Sequence, residues 1–167
     1  MWRHVRAIGL LPGMSAGLVP GAILAIGGMD VGWGLAGAWQ ALPVAAGAAL
    51  VGAGLVLMYR TITLFARVGE GTLAPWDPPR NLVARGPYRY VRNPMIVGVL
   101  AVITGEGALL GSPWVLLWAG AFFVINSVWF RLVEEPGLER RFGAEYERYR
   151  GAVPRWVPRR TPWAGSP

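Results

Sequence analysis

The sequence predicts an all-α integral membrane protein with about four transmembrane helices and a cytosolic, interfacial C-terminal helix. Three observations carry this expectation. Hydrophobic residues make up 54% of the 167 positions and charged residues 15%, with a mean hydropathy of +0.41, a balance outside that of soluble domains. Four stretches of roughly 17 to 22 residues are nearly free of charge, the length a helix needs to cross hydrocarbon. Arginine is the only strong base, with no lysine anywhere, and it falls in blocks between those stretches.

The first run, 7–28, follows a basic start at 1–6. A secretory signal opens in the same way, but the run is long enough to be a retained span. Gly9, Gly13, Gly17 and Gly21 recur every four residues, so one face is nearly bare backbone, expected to pack against a neighbouring helix of the same chain rather than form a dimer seam. A loop at 30–37 follows, with Trp33 and Trp39 placed for an interfacial aromatic belt. The second run, 39–58, carries Ala45, Ala49 and Gly52 on one face and ends at Tyr59 and Arg60. Between 67 and 92 the chain turns polar and rich in glycine and proline (Gly69, Gly71, Pro75, Pro78, Pro79), which stops a continuous helix. The third run, 94–110, opens on Pro94, a residue suited to a first helical turn because its missing N–H has no partner to lose there. A turn at 111–113 leads to the fourth run, 114–133.

Pro136 disfavours helical geometry at Glu135 and is expected to open a new helix as its first residue. In that helix, 136–150, Leu138, Phe142, Tyr146 and Tyr149 share one side, while Glu139, Arg140, Glu147 and Arg148 take the other. The pattern suits a helix lying in the interface plane. The tail, 155–167, is expected to be irregular. There is no internal repeat, and the chain divides into an N-terminal transmembrane pair, 1–66, and a core, 67–167.

Arginines occur before the first run, between the second and third, and after the fourth. The positive-inside rule then places both termini and the 67–92 loop in the cytoplasm, consistent with a bacterial inner membrane. The net charge of +7 belongs to that topology and to anionic headgroups, not to a nucleic-acid partner. The absence of cysteine excludes disulfides and thiolate chemistry, and the single histidine, His4, makes no metal site. Oligomeric state is not written in the sequence.

Two polar clusters stand out. One is the run from Gly86 to Gly98, with Tyr88, Arg89, Tyr90, Arg92 and Asn93 directly before Pro94. The other closes the fourth run, where Ser127, Arg131 and Glu135 are four apart and share a face, with Asn126, Phe130 and Glu134 beside it. Standing alone, the second cluster reads equally well as an ion-pair girdle in the headgroups. An antiparallel hairpin would return it to the first cluster, so that carboxylates, a guanidinium, aromatics and amides meet at one cavity mouth. Such a site suits a zwitterionic or cationic cofactor, with the bilayer supplying a lipid.

The ordered motifs resemble the isoprenylcysteine carboxyl methyltransferase and phospholipid methyltransferase superfamily of membrane enzymes. They are Leu82-Val83, Gly86 and Tyr88, then Arg92-Asn93-Pro94-Met95-Ile96-Val97-Gly98, then Glu134-Glu135, and last Phe142-Gly143-Ala144-Glu145-Tyr146-Glu147-Arg148-Tyr149. The resemblance covers roughly 69–155. It implies an S-adenosyl-L-methionine-dependent methyltransferase, releasing S-adenosyl-L-homocysteine, with a membrane lipid or prenylated small molecule as acceptor and no metal. It also implies that Asn81, Leu82, Val83, Tyr88, Asn93, Pro94, Met95, Ile96 and Glu135 line the cofactor pocket. Arg131, and beside it Asn126, would face the acceptor. Glu134, Glu135 and Arg131 would form the catalytic set, with Glu135 meeting the positive end of the cofactor. Asn93 stands where the family has histidine, and Ile96 where it has tyrosine. A carboxylate acceptor needs no base, whereas an amine must lose a proton to Glu134 or water. The scarcity of bases favours a carboxylate, or an amine that arrives neutral.

Two other acids fit structural roles: Glu106, within the third run, bonded to a neighbouring helix, and Asp77, a turn residue among prolines. The competing readings are a membrane lipid reductase using a nicotinamide cofactor and a small transporter built on Glu106.

Overall fold

The computed structural model describes residues 9–68 and 81–165, and within them the chain is helical without strands. The basic start with His4 and most of the glycine- and proline-rich loop, Asp77 included, lie outside the described residues. Helix α1 begins as wide π-type turns over Gly9–Leu18 and continues as a regular helix over Val19–Gly27. The widening falls just before Pro20, whose ring would otherwise press on the carbonyl four residues back. Helix α2 is Ala41–Val68, α3 is Pro94–Leu110, and α4 is Pro113–Trp129, prolonged by a π turn at Phe130–Glu134. Two short helices follow, α5 at Glu135–Phe142 and α6 at Ala144–Ala152. The segments Pro12–Gly34, Gly37–Leu64 and Pro113–Phe142 are long and apolar enough to cross a membrane, and α3, with 17 residues, is a shorter apolar helix.

The closest packing joins α2 to α3. A Cβ on Gly54 would lie 2.6 Å from the carbonyl oxygen of Gly98, and one on Gly47 would lie 2.6 Å from that of Gly105. The seven-residue spacing on both helices brings two antiparallel backbones together at two successive levels, which only glycine permits. The face that carries Ala45, Ala49 and Gly52 is exposed instead, and Gly52 has nothing within 4 Å of a Cβ position. In the α1 glycine row the expected packing does not occur at Gly17 and Gly21, which meet nothing within 4 Å. Larger side chains hold α1 instead: Ala16, Ile23 and Leu24 reach the core of Val99, Ile103, Val115, Ala119 and Phe122, and the Trp118 indole donates to Ser15 O at 2.9 Å.

At the far end of the bundle the α1–α2 connection folds onto the α3–α4 turn. Asp30 N–H donates to Leu110 O at 2.9 Å and the Trp33 indole to Ala108 O at 2.8 Å. Gly111 stops α3 at φ 63°, and a Cβ there would collide with Asp30 O. Ser112 then caps α4 by accepting from Val115 N–H.

Pro136 does not break the helix as expected. Glu135 keeps helical angles, φ −62° and ψ −44°, and its N–H donates to Phe130 O five residues back. The wider turn makes room for the proline ring and carries α4 into α5. The break comes at Gly143, φ 51°, so the expected single helix over 136–150 is two. The expected apolar stripe holds: Leu138, Phe142, Tyr146 and Tyr149 belong to a second core with Leu82, Ala84, Val153 and Trp163.

Candidate functional site

The tail has no regular structure, yet it is stitched to the segment before α3. Pro154 O accepts from Arg92 N–H, Arg159 N–H donates to Tyr90 O, and Trp163 N–H donates to Arg89 O, each at 2.9 Å. Tyr149 OH donates to Tyr88 O at 2.7 Å. These bonds set α6 and the tail against the 88–92 segment, and the segment in turn delivers Arg92 to Glu135.

Glu135 lies at the junction of these pieces and is only 6% exposed. Its Oε1 accepts from Arg92 Nη1 at 2.8 Å and from Arg155 Nε at 2.7 Å, and its Oε2 accepts from Arg155 Nη2 at 2.6 Å. Arg155 is thus a two-pronged partner, the geometry in which a guanidinium binds a carboxylate most strongly. Arg92 also reaches Tyr146 OH at 3.4 Å. Burial pushes the hydroxyls of Tyr88, Tyr146 and Tyr149 above the ordinary tyrosine range.

The two clusters singled out in the sequence therefore meet, 43 residues apart along the chain. Glu135 does not present a free carboxylate to a cofactor cation, however, because both its oxygens are taken by arginines. Asn93 Nδ2 and Arg92 Nε at this junction are buried polar atoms without partners, as is Ser127 Oγ about two turns back along α4. Arg131 lines a cleft of about 480 Å³ with Arg92, Glu135, Pro136, Glu139, Arg150 and Arg155. Glu134 is half-buried beside it.

The remaining predicted residues serve mainly in packing. Val83 and Tyr88 form a small core with Leu64, Leu82 joins the tyrosine core, and Ile96 packs on the α3–α4 core. Pro94 and Met95 are buried and Asn81 is exposed. Asn126 spends its amide on Phe122 O in its own helix, at 2.8 Å. Glu106 is not bonded to a neighbour as expected, since its buried Oε2 lacks a partner. Arg155 is the residue that sequence reasoning missed. The only signal for it was an arginine surplus just beyond the tyrosine stripe.

Three helices long and apolar enough for a bilayer, with a charged junction where α4 ends, define the class of helical membrane proteins. Within that class the chain belongs to the phospholipid methyltransferase family, whose family model matches residues 42–145. The match reaches back through α2, beyond the motifs of 69–155, in keeping with the glycine contacts that lock α2 to α3. The chain is similar to the phosphatidylethanolamine N-methyltransferase of Phaeosphaeria nodorum, 30% identical over 101 residues, which is 56% of this chain and 11% of that protein. It thus spans a small fraction of that relative's length. No solved structure matches the chain.

Proposed function

We propose that this protein transfers a methyl group from S-adenosylmethionine to the headgroup amine of a membrane phospholipid. The observation that carries the reading is the junction at Glu135, which fastens the segment before α3, the end of α4 and the tail into one polar site where the apolar helices stop. Family membership supports methyl transfer, and the name of the fungal relative supports an amine, one of the two acceptors that the scarcity of bases left open, over a carboxylate.

The residues present fit the cofactor at its carboxylate end. Asn93 Nδ2 and Arg92 Nε are buried donors without partners, matched to an anionic group. The family resemblance would put the adenosine near Leu82, Val83, Tyr88, Met95 and Ile96, side chains that here pack into the surrounding cores. When bound, S-adenosylmethionine supplies a methyl carbon already activated by its sulfonium. The chain then has to align the acceptor nitrogen with that carbon and keep water out, and good alignment alone reaches effective molarities of about 10⁵ M or more. Arg131 orients the acceptor. Glu134, next to the occupied Glu135, takes the proton that the amine must lose. Residues 67–167 form the transfer unit and 1–66 its membrane scaffold, with the site on the cytosolic side.

The test is transfer of a tritiated methyl group from S-adenosylmethionine into a total lipid extract by the purified chain. Label in amine-containing phospholipids is the expected result. Label confined to prenylated or fatty carboxylates, or no label in any lipid, would overturn the assignment.

A further inference from the structure

The cleft at the end of α4 holds four arginines and two glutamates, an excess of two positive charges. The way those charges are paired decides what the cleft attracts. Glu135 is fully occupied by Arg92 and Arg155, and Glu139 is paired with Arg150. No carboxylate in the cleft wall is left for a cation. Among the described residues Arg131 has no ion pair or hydrogen bond.

We propose that this cleft is an anion subsite for the phosphate of a lipid headgroup, with Arg131 as the residue that grips it. A tetrahedral oxyanion suits a planar guanidinium fork, and the pairing of Glu135 removes the repulsion that a bare carboxylate would exert. A lipid is favoured over a soluble anion by the surroundings. Trp129, Leu132 and Val133, on the helix that carries Arg131, are 45%, 68% and 45% exposed, so acyl chains can run along α4 while the phosphate enters the cleft. The inference rests on the functional reading above only in taking that lipid to be the methyl acceptor. A phosphate held there would leave the headgroup amine to extend toward Asn93 and Glu134.

The experiment is calorimetric titration of the full chain in a neutral detergent. The probes are dihexanoyl phosphatidate, dihexanoylglycerol as its phosphate-free match, and inorganic phosphate. Variants are Arg131→Gln, Arg131→Lys and Arg148→Gln, the last an exposed arginine outside the cleft that carries the same charge change. Phosphatidate should bind and dihexanoylglycerol should not. Arg131→Gln should weaken phosphatidate roughly tenfold or more, the size of a lost charge-assisted hydrogen bond. Arg131→Lys should fall between it and wild type, and Arg148→Gln should stay within about twofold of wild type, as befits a screened surface charge. Equal losses at positions 131 and 148 would reduce the effect to general electrostatics and sink the proposal, as would an unaffected Arg131→Gln. Inorganic phosphate binding as tightly as phosphatidate would overturn the lipid source. Because the titration involves no methyl transfer, an inactive enzyme that still discriminates these probes would count against the activity and not against the subsite.

Discussion

Replacing Glu135 by glutamine tests how the site is held together. The substitution preserves shape and removes the charge shared by two arginines. Three hydrogen bonds of 2.6–2.8 Å end on this carboxylate, and each bond to a charged group contributes about 1.5–3 kcal/mol. The Arg92 and Arg155 side chains are 11% and 24% exposed, so both recover some hydration once the partner is neutral. Breaking a buried pair typically costs about 3–5 kcal/mol, and with that partial recovery the loss should fall near 3 kcal/mol. The exposed Arg150–Glu139 pair provides the contrast: Arg150→Gln should cost less than about 1 kcal/mol. Equilibrium unfolding in mixed micelles measures both. In a double-mutant cycle, Glu135→Gln and Arg155→Gln should be strongly non-additive, because each removes the same contacts. Equal small losses at both pairs, or additive effects of the 135 and 155 changes, would refute the reasoning.

Gly54→Ala should destabilise by about 1–3 kcal/mol through overpacking against Gly98 and Val102, whereas Gly52→Ala, with open space, should be neutral or gain up to about 1 kcal/mol of helix propensity; thermal unfolding separates them. The tyrosine contribution to stability should be constant with pH up to the unfolded tyrosine value near 10 and be lost above it. The folded hydroxyls of Tyr88, Tyr146 and Tyr149 lie higher, so the unfolded chain releases protons first. Tyr149→Phe should lessen that alkaline slope and cost about 1 kcal/mol for the lost bond to Tyr88 O. Removing residues 154–167 should abolish methyl transfer, since it deletes Arg155 and the backbone bonds that hold the 89–92 segment; a fully active truncated chain would show the tail to be dispensable. Glu106→Gln should leave transfer intact in the same assay, because Glu106 lies in α3 beyond the site.

The sequence made legible what depends on hydrophobic length and on local stereochemistry. The bounds of α3 came out as read, because Pro94 and Gly111 mark its two ends unambiguously. The tyrosine stripe was recognisable because helical spacing aligned four apolar side chains, and the meeting of Arg92 with Glu135 followed from the hairpin. Contacts that depend on which of several glycines faces a neighbour were not legible: Gly47 and Gly54 look no different from Gly52 until α3 supplies Gly98 and Gly105 opposite them. The continuity through Pro136 was missed because a π turn has no composition of its own. Arg155 was missed because the tail is held by long-range backbone hydrogen bonds, which leave no periodicity to read.

Calorimetric titration of the intact chain with S-adenosylmethionine, and with NADPH in parallel, addresses the central claim most directly. Saturable binding of S-adenosylmethionine, weakened by Asn93→Leu and absent for NADPH, is the result this structure predicts. Binding of NADPH in its place, or an affinity for S-adenosylmethionine indifferent to Asn93, would contradict it.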